Sequence, residues 1–228
     1  MTQQLFDAYD RSYRDVVQSS VDFSGLPHSF FLSAKAVMIH EVIAAHFGTR
    51  KPVALDVGCG VGAFHPHVSS LFSRLAGTDV SEASLARARA DNPGNEYRQS
   101  DTTTLPYGEA SFDFTLAVCV MHHVPPPDWP AFLGEMRRVS RPGGLVCIIE
   151  HNPFNPLTRL AVARCEFDRD AVLLRAGKVR RLMADAGLHN IAARQFLLLP
   201  SAAPIARRIE RSLAWLPLGA QYLVCGTV

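Results

Sequence analysis

The stretch Pro52–Phe64, PVALDVGCGVGAF, joins an apolar run to an acid and then to glycines at every second position. The apolar part predicts a buried strand ending near Asp56, and Gly58, Gly60 and Gly62 predict a turn into a helix. A glycine has no Cβ, so its backbone can adopt a positive φ or lie close to a ligand. The stretch therefore predicts a cradle for a nucleotide-type ligand, provided that the next segments continue the strand and helix pattern.

Strands and helices alternate after this loop. Leu75–Val80, LAGTDV, predicts a second strand ending in Asp79 before the helical SEASLARARADN, and Asp101 follows a third predicted strand, EYRQS. A fourth strand runs from Phe112, and GLVCIIEHN predicts a fifth. This alternation predicts an α/β fold with a parallel sheet, helices on both faces and a ligand at the carboxyl ends of the strands. An acid placed like Asp79 can accept hydrogen bonds from both hydroxyls of a ribose.

Composition favours one domain over residues 1–228, because 48% hydrophobic residues suffice for one core and no low-complexity linker divides the chain. A formal net charge of +2 gives no case for a nucleic-acid binder. The N-terminus does not resemble a signal peptide, and the apolar runs are much shorter than the roughly 20 residues that span a bilayer. We therefore expect a soluble cytoplasmic protein without membrane contact.

The five cysteines include no C-x-x-C pair, so we expect reduced, mostly buried thiols and no structural zinc. A redox role for Cys59, beside the glycine loop, is the alternative. His65 and His67 lack the i, i+4 spacing of a helical metal pair, so no metal site is expected.

From Arg159 onward, 11 Lys and Arg outnumber 5 Asp and Glu. Solvated helix faces explain this excess, and an anionic substrate or a carrier protein is the alternative.

The order DVGCGVG, TDVSEASL, SDTTTLPYGEASFD, MHHV and LGEMRRVSRPGG resembles the class I S-adenosylmethionine-dependent methyltransferases of the small-molecule type. The resemblance covers Pro52–Glu150 motif by motif. It implies a Rossmann-like seven-stranded, mostly parallel sheet whose last strand inserts antiparallel beside the fifth. It also implies transfer of a methyl group from S-adenosylmethionine to a small molecule.

The resemblance also suggests how the chain divides. Residues 1–50 would form a helical cap or lid, 51–151 the cofactor-binding core, and 152–228 the acceptor walls and last strands. HNIAARQFLLLP and GAQYLVCGTV would be strands six and seven. Apolar spacing predicts a helix over Leu173–Leu188 that opens after a cap at Asp170 and ends at Gly187. Tyr13 matches the family's lid, and core packing is its alternative role.

The resemblance assigns the cofactor residues. The three glycines would approach the methionine portion and the ribose, Asp56 would orient the ammonium group or brace the loop, and Asp79 with Val80 would bind the ribose. The alternative role of Asp79 is a helix cap, although Ser81 is available for it. Asp101 and Thr102 match the adenine-edge position, with a turn-forming Asp as the alternative. Val118 and Cys119 would offer backbone groups to the methionine end.

Three histidines are candidates for a general base, which an oxygen or nitrogen acceptor carrying a proton would need. His122 and His123 follow the fourth strand, and His151 follows the fifth. His123 matches a position common in the family whatever the substrate, which argues for structural support. His151 lies at the start of a predicted acceptor wall. We therefore name His151 and His123 as the catalytic candidates.

Two other functions stay open on the sequence alone. A nicotinamide dinucleotide oxidoreductase normally has G-x-G-x-x-G, whereas here the third glycine comes one residue early and Ala63 fills the last slot. A non-catalytic member of the family would keep the same loop.

The sequence after strand four, VMHHVPPP, lacks an NPPY-type signature and favours an acceptor such as a natural product, lipid, quinone precursor or sugar. Phe23, Phe30, Phe31, Phe154 and Trp215 fall in the predicted walls and favour an apolar acceptor.

Overall fold

A computed structural model describes residues 13–101, 103–198, 212 and 216–228. These residues form a seven-stranded sheet with helices on both faces. The strands are β1 Val53–Val57, β2 Arg74–Asp79, β3 Glu96–Gln99, β4 Phe112–Val118, β5 Ser140–His151, β6 His189–Phe196 and β7 Gln221–Thr227. The helices are α1 Tyr13–Val21, α2 His28–Phe47, α3 His65–Val68, α4 Glu82–Asp91, α5 Trp129–Val139, α6 Pro156–Arg164 and α7 Ala176–Asp185.

The strand order is β3-β2-β1-β4-β5-β7-β6. Strands β1 to β5 pair in parallel, and β7 inserts antiparallel between β5 and β6. This arrangement confirms the predicted fold. The order reverses beside β1, so β1 and β4 open a crevice at their carboxyl ends, where open α/β sheets bind ligands.

Two apolar cores lie on opposite faces of the sheet because strand side chains alternate between faces. Leu55 of β1 and Ile148 of β5 pack with α5 and α7. Ala54 and Ile149, one residue away in each strand, pack with α2 and α3. The central strands are buried on both faces, which explains their nearly continuous apolar sequence.

The helix after β2 forms as predicted, since the Ser81 side chain accepts a 3.1 Å hydrogen bond from the Ser84 amide and caps α4. The predicted start of α7 is wrong. The helix begins at Ala176, with Arg175 at the N-cap position and no side-chain cap. The chain before it is held elsewhere, because the Val172 amide donates to the His122 carbonyl at 2.9 Å.

Among the described residues, one helix, α2, is long and apolar enough to cross a membrane by length and composition. The expectation that every apolar run is far too short is therefore wrong for α2. Leu32, Ile39 and Ile43 are buried against the sheet, which accounts for part of its apolar character. Length and composition alone are weak evidence for a membrane span.

The cysteines depart from the expectation that all are reduced. Cys147 of β5 and Cys225 of β7 form a disulfide, whereas Cys59, Cys119 and Cys165 are free. The two bonded residues are register partners on adjacent antiparallel strands, with Cα atoms 4.3 Å apart. Strands that face each other this way bring side chains close enough to bridge. Their separation of 78 residues gives no such signal in the sequence.

Candidate active site

The carboxyl edge of the sheet opens into a cavity of about 550 Å³. The ends of β1, β2, β4 and β5 and the start of β7 form its floor. Helices α1, α2 and α6 supply apolar walls, including Val17, Phe31, Leu157 and Val162. Phe23 also lines the cavity, whereas Phe30 and Phe154 do not, and Trp215 lies outside the described residues.

The three loop glycines all have positive φ but face different surroundings. A Cβ on Gly58 would lie 2.6 Å from Val120, and one on Gly62 would lie 2.9 Å from Asn92, so these two glycines allow close packing. A Cβ on Gly60, whose φ is 52°, would meet no described atom within 4 Å. Gly60 is therefore the glycine whose Cβ position opens toward the cavity.

Asp56 is 3% exposed at the end of β1. Its Oδ2 lies 3.0 Å from Nε2 of His65, and Nδ1 of the same ring lies 2.6 Å from the Tyr97 hydroxyl. Asp56 Oδ1 is buried and has no hydrogen-bond partner among the described residues. A buried carboxylate oxygen without a donor is costly, which marks it as a candidate ligand-binding atom. His65 and Tyr97 position this carboxylate, a support that sequence spacing did not suggest.

Asp79 ends β2 and holds the glycine loop. Its Oδ2 accepts a 2.8 Å hydrogen bond from the Gly60 amide, and its Oδ1 accepts one of 3.0 Å from the Ser81 amide. Burial raises the pKa of Asp79. An ionised carboxylate has about four acceptor sites, so both oxygens can accept further hydrogen bonds. Val80 lines the cavity beside it.

Of the two residues predicted at the adenine edge, the structure describes Asp101. Oδ1 of Asp101 accepts hydrogen bonds from the Thr103 amide at 2.7 Å and the Thr103 hydroxyl at 3.1 Å. These bonds lower the pKa of Asp101 and give it the turn-forming geometry held open as its alternative role. Asp101 nevertheless lines the cavity. Thr102 and the side chain of Tyr13 lie outside the described residues.

Val118 and Cys119 line the cavity where β4 ends. The Cys119 amide donates to the Ile149 carbonyl at 2.8 Å, so it is already engaged. Cys119 also has a φ of 57°, which is unusual for a residue with a side chain. This backbone conformation accompanies the turn out of the strand at the cavity floor.

A thiol, an imidazole and an amide meet beside this turn. The Gln221 Nε2 atom lies 3.5 Å from Cys119 Sγ and 3.4 Å from His151 Nδ1. Burial opposes the thiolate, but the charges of Lys35 and His151 outweigh it and lower the pKa of Cys119 to about 7. Burial likewise opposes the imidazolium, but the charge and hydrogen bond of Cys119 outweigh it and raise the pKa of His151. His151 therefore faces the cavity as a group that readily takes up a proton.

A second cluster surrounds His122, whose partners were not evident from the sequence. His122 Nδ1 lies 2.5 Å from Glu150 Oε2, and both side chains are 1% exposed. His122 Nε2 lies 3.3 Å from Asp168 Oδ1. Burial disfavours the imidazolium, but Glu150 and Asp168 outweigh it and hold the pKa of His122 well above its usual value. The only sequence signal was the position of Glu150 at the end of a predicted strand.

His123 lies next to this cluster, with its Nε2 atom 3.3 Å from Asp168 Oδ1. Burial and the neighbouring charge of His122 lower its pKa to about 3. A group with so low a proton affinity is a weak base near neutral pH. The lowered pKa of His123 and the raised pKa of His151 make His151 the stronger base of the two candidates.

Comparisons with known proteins agree with this architecture. A family model described as a methyltransferase domain matches residues 55–148. The chain is 32% identical to a phosphatidylethanolamine N-methyltransferase of Cereibacter sphaeroides over 156 residues, 65% of this chain and 75% of that protein. The chain belongs to the class I S-adenosylmethionine-dependent methyltransferases.

Further matches agree with this methyltransferase assignment. A ubiquinone biosynthesis O-methyltransferase of Sinorhizobium medicae is 28% identical over 60% of this chain, which spans 59% of that protein. A methyltransferase structure from Thermotoga maritima superimposes with a TM-score of 0.63 at 21% identity, covering 93% of this chain and 98% of that one. The chain is therefore assigned as a methyltransferase with S-adenosylmethionine as its cofactor, and the nicotinamide oxidoreductase alternative is set aside.

Proposed function

We propose that this methyltransferase transfers the methyl group to a hydroxyl oxygen of a small amphipathic molecule. One observation carries the proposal: His151 lies in the same cavity as the glycine loop and the apolar walls. O-methylation of an apolar alcohol or phenol needs a base near the methyl donor and apolar walls that exclude water from the reacting groups. Carbon methylation would use the same base on an acidic C–H.

The glycine loop and its two acids would hold the cofactor. Gly60 leaves room for the ligand where a side chain would stand, and Asp79 keeps acceptor sites for the ribose hydroxyls. Asp56 Oδ1, which is buried and has no donor within the described part of the chain, suits the ammonium group of the methionine portion. Gly58 and Gly62 support this fit through packing, so their effect on binding is indirect.

The remaining cofactor contacts are inferred from position along the sheet edge. Val80 and Asp101 line the cavity on the β2 and β3 side, where the ribose and the adenine would lie, and Thr102 is proposed with them. Val118 and Cys119 line the β4 side, where the methionine end would lie. Tyr13, at the start of α1, is proposed as part of a lid formed by residues 1–50.

The reaction mainly requires that the acceptor oxygen, the methyl carbon and the sulfur lie in line, and that a base accepts one proton. S-adenosylmethionine supplies an activated methyl group on a sulfonium, which departs as a neutral thioether. In its neutral form, His151 would take the hydroxyl proton as the acceptor oxygen forms its bond to the methyl carbon and the carbon–sulfur bond breaks. Gln221 and Cys119 hold the imidazole in place, and the walls exclude water.

The cavity walls and the relatives support an apolar or amphipathic acceptor. Valine, leucine and phenylalanine side chains from α1, α2 and α6 suit an apolar body. Lys35 is 7% exposed at the cavity and could pair with an anionic group, including one on a carrier protein. One relative is named for N-methylation of phosphatidylethanolamine, an amphipathic lipid, and another for O-methylation in ubiquinone biosynthesis.

The test is product detection with a panel of acceptors. Purified protein, S-adenosylmethionine and phenols, prenylated phenols, phosphatidylethanolamine vesicles or acyl-carrier thioesters would be incubated and analysed by mass spectrometry. We expect one class of phenol or alcohol to gain a single CH₂, with S-adenosylhomocysteine formed in equal amount. Methylation of the amine lipid alone would replace the O-methylation proposal with N-methylation.

A further inference from the structure

Two imidazoles and one carboxylate converge in the cavity. His122 and His123 lie in the short helical turn after β4, and Asp168 lies in the 3₁₀ segment Glu166–Asp168 after α6. One ligand atom from each residue lies within 4.8 Å of the other two, and all three residues line the cavity. His122 and Asp168 are 46 residues apart, so sequence spacing could not indicate the group.

The distances fit a shared ion as well as they fit the long hydrogen bond between His122 and Asp168. Both imidazole Nε2 atoms lie 3.3 Å from the same oxygen, Asp168 Oδ1. Charge-assisted hydrogen bonds are typically about 2.7–2.9 Å long. Ligand atoms bound at about 2.0–2.1 Å in a tetrahedral site lie about 3.3–3.4 Å apart. The two distances to Asp168 therefore match the separation between two ligand atoms of one tetrahedral metal site.

The support behind His122 also fits a metal ligand. Its Nδ1 lies 2.5 Å from Glu150 Oε2, and its backbone amide donates to Glu150 Oε1 at 3.3 Å. Histidine ligands usually donate their second ring N–H to a carboxylate, which fixes the ring and its tautomer. The carboxylates of Glu150 and Asp168 would together balance a divalent cation, which would take the place of the proton on His122.

We propose that His122, His123 and Asp168 bind a divalent transition-metal ion of the Zn²⁺ class, with an open coordination position facing the acceptor cavity. Two imidazoles and a carboxylate are a common three-residue set for catalytic metals, which keep a further position for water or substrate. Building on the proposed O-methylation, that position would hold the acceptor hydroxyl. Coordination makes a bound hydroxyl more acidic, and His151 would receive its proton.

Metal binding is tested directly on tag-free, full-length protein that has been stripped with chelator and freed of it. Calorimetry with Zn²⁺ and absorption spectroscopy with Co²⁺ should each report one ion per chain. Asp168→Asn and His123→Ala should weaken binding by more than about tenfold, because each removes one ligand. The matched control, His40→Ala, changes an exposed histidine of α2 and should bind like wild type.

Folding and function are separated by two further measurements. Each variant is titrated with S-adenosylhomocysteine, so that a loss of metal binding counts only when cofactor binding is retained. If His123→Ala does not fold, Asp168→Asn alone decides. Absence of a stoichiometric ion in wild type, or equal affinity in the variants, overturns the metal site while leaving O-methylation standing. A bound ion together with no O-methylated product overturns the proposed reaction and keeps the metal site.

Discussion

The backbone amide of Gly60 donates a 2.8 Å hydrogen bond to Oδ2 of Asp79, so the glycine loop and the end of β2 form one unit. Asp79→Ala removes this brace and the proposed acceptor for the ribose hydroxyls. We expect S-adenosylhomocysteine binding to weaken by about 1–3 kcal/mol, measured by calorimetry. Glu82→Ala, in an exposed pair with Arg89, is the control and should bind normally. Unchanged affinity in Asp79→Ala would remove Asp79 from the cofactor site.

Gly60→Val tests whether the space beside the loop belongs to the cofactor. The new side chain would project into that space, so we expect calorimetry to detect no S-adenosylhomocysteine binding. Gly48→Val is a matched control, because Gly48 also has a positive φ, and a Cβ at this position would have no described atom within 4 Å. Both variants should lose similar stability from backbone strain, about 1–2 kcal/mol. Retained binding in a folded Gly60→Val protein would show that the cofactor lies elsewhere.

The Cys147–Cys225 disulfide predicts how many thiols of the protein react before and after reduction. Denatured protein without reductant should show three reactive thiols, Cys59, Cys119 and Cys165, and reduced protein should show all five. Reduction should lower the free energy of unfolding by about 2–4 kcal/mol in urea titrations, because the bond closes a long loop. Cys225→Ser should be insensitive to reductant. Five reactive thiols before reduction would mean that the purified protein lacks the bond.

Cys119 should react with alkylating agents near neutral pH. Its pKa of about 7 lies below the usual value of 9.0, so the thiolate fraction, and with it the alkylation rate, should rise through about pH 7. Lys35 and His151 lower this pKa, whereas burial and Glu150 oppose them. Cys165, with a pKa raised by burial to about 12, provides an internal comparison in peptide mass mapping.

Lys35→Met supplies the matched variant for this pH profile. Without the lysine charge, the midpoint of Cys119 alkylation should move to higher pH, whereas Lys178→Met on the exposed face of α7 should leave it in place. A wild-type rate that rises only above about pH 9 would contradict the thiolate assignment.

Local spacing predicted the sheet and its edge, because each strand, its terminal acid and the following cap lie within a few residues of one another. Asp79 and Ser81 are examples. Contacts that join distant segments were not predictable. Asp168 reaches His122 only because the chain after α6 returns to the helical turn that follows β4, and Cys225 meets Cys147 only through the register of β7 against β5. A single sequence carries no record of such registers.

His151→Ala tests the base. If His151 takes the acceptor proton, its loss should lower kcat by about 10²–10⁴-fold with an ionisable acceptor from the panel. S-adenosylhomocysteine affinity should stay the same, because the imidazole is proposed to face the acceptor, and its contacts with Gln221 and Cys119 are not contacts with the cofactor. His67→Ala, on the short helix α3, controls for loss of a histidine outside the residues that line the cavity. An unchanged kcat at saturating acceptor would leave His151 as part of the cavity wall, and raised KM alone would assign it to acceptor binding.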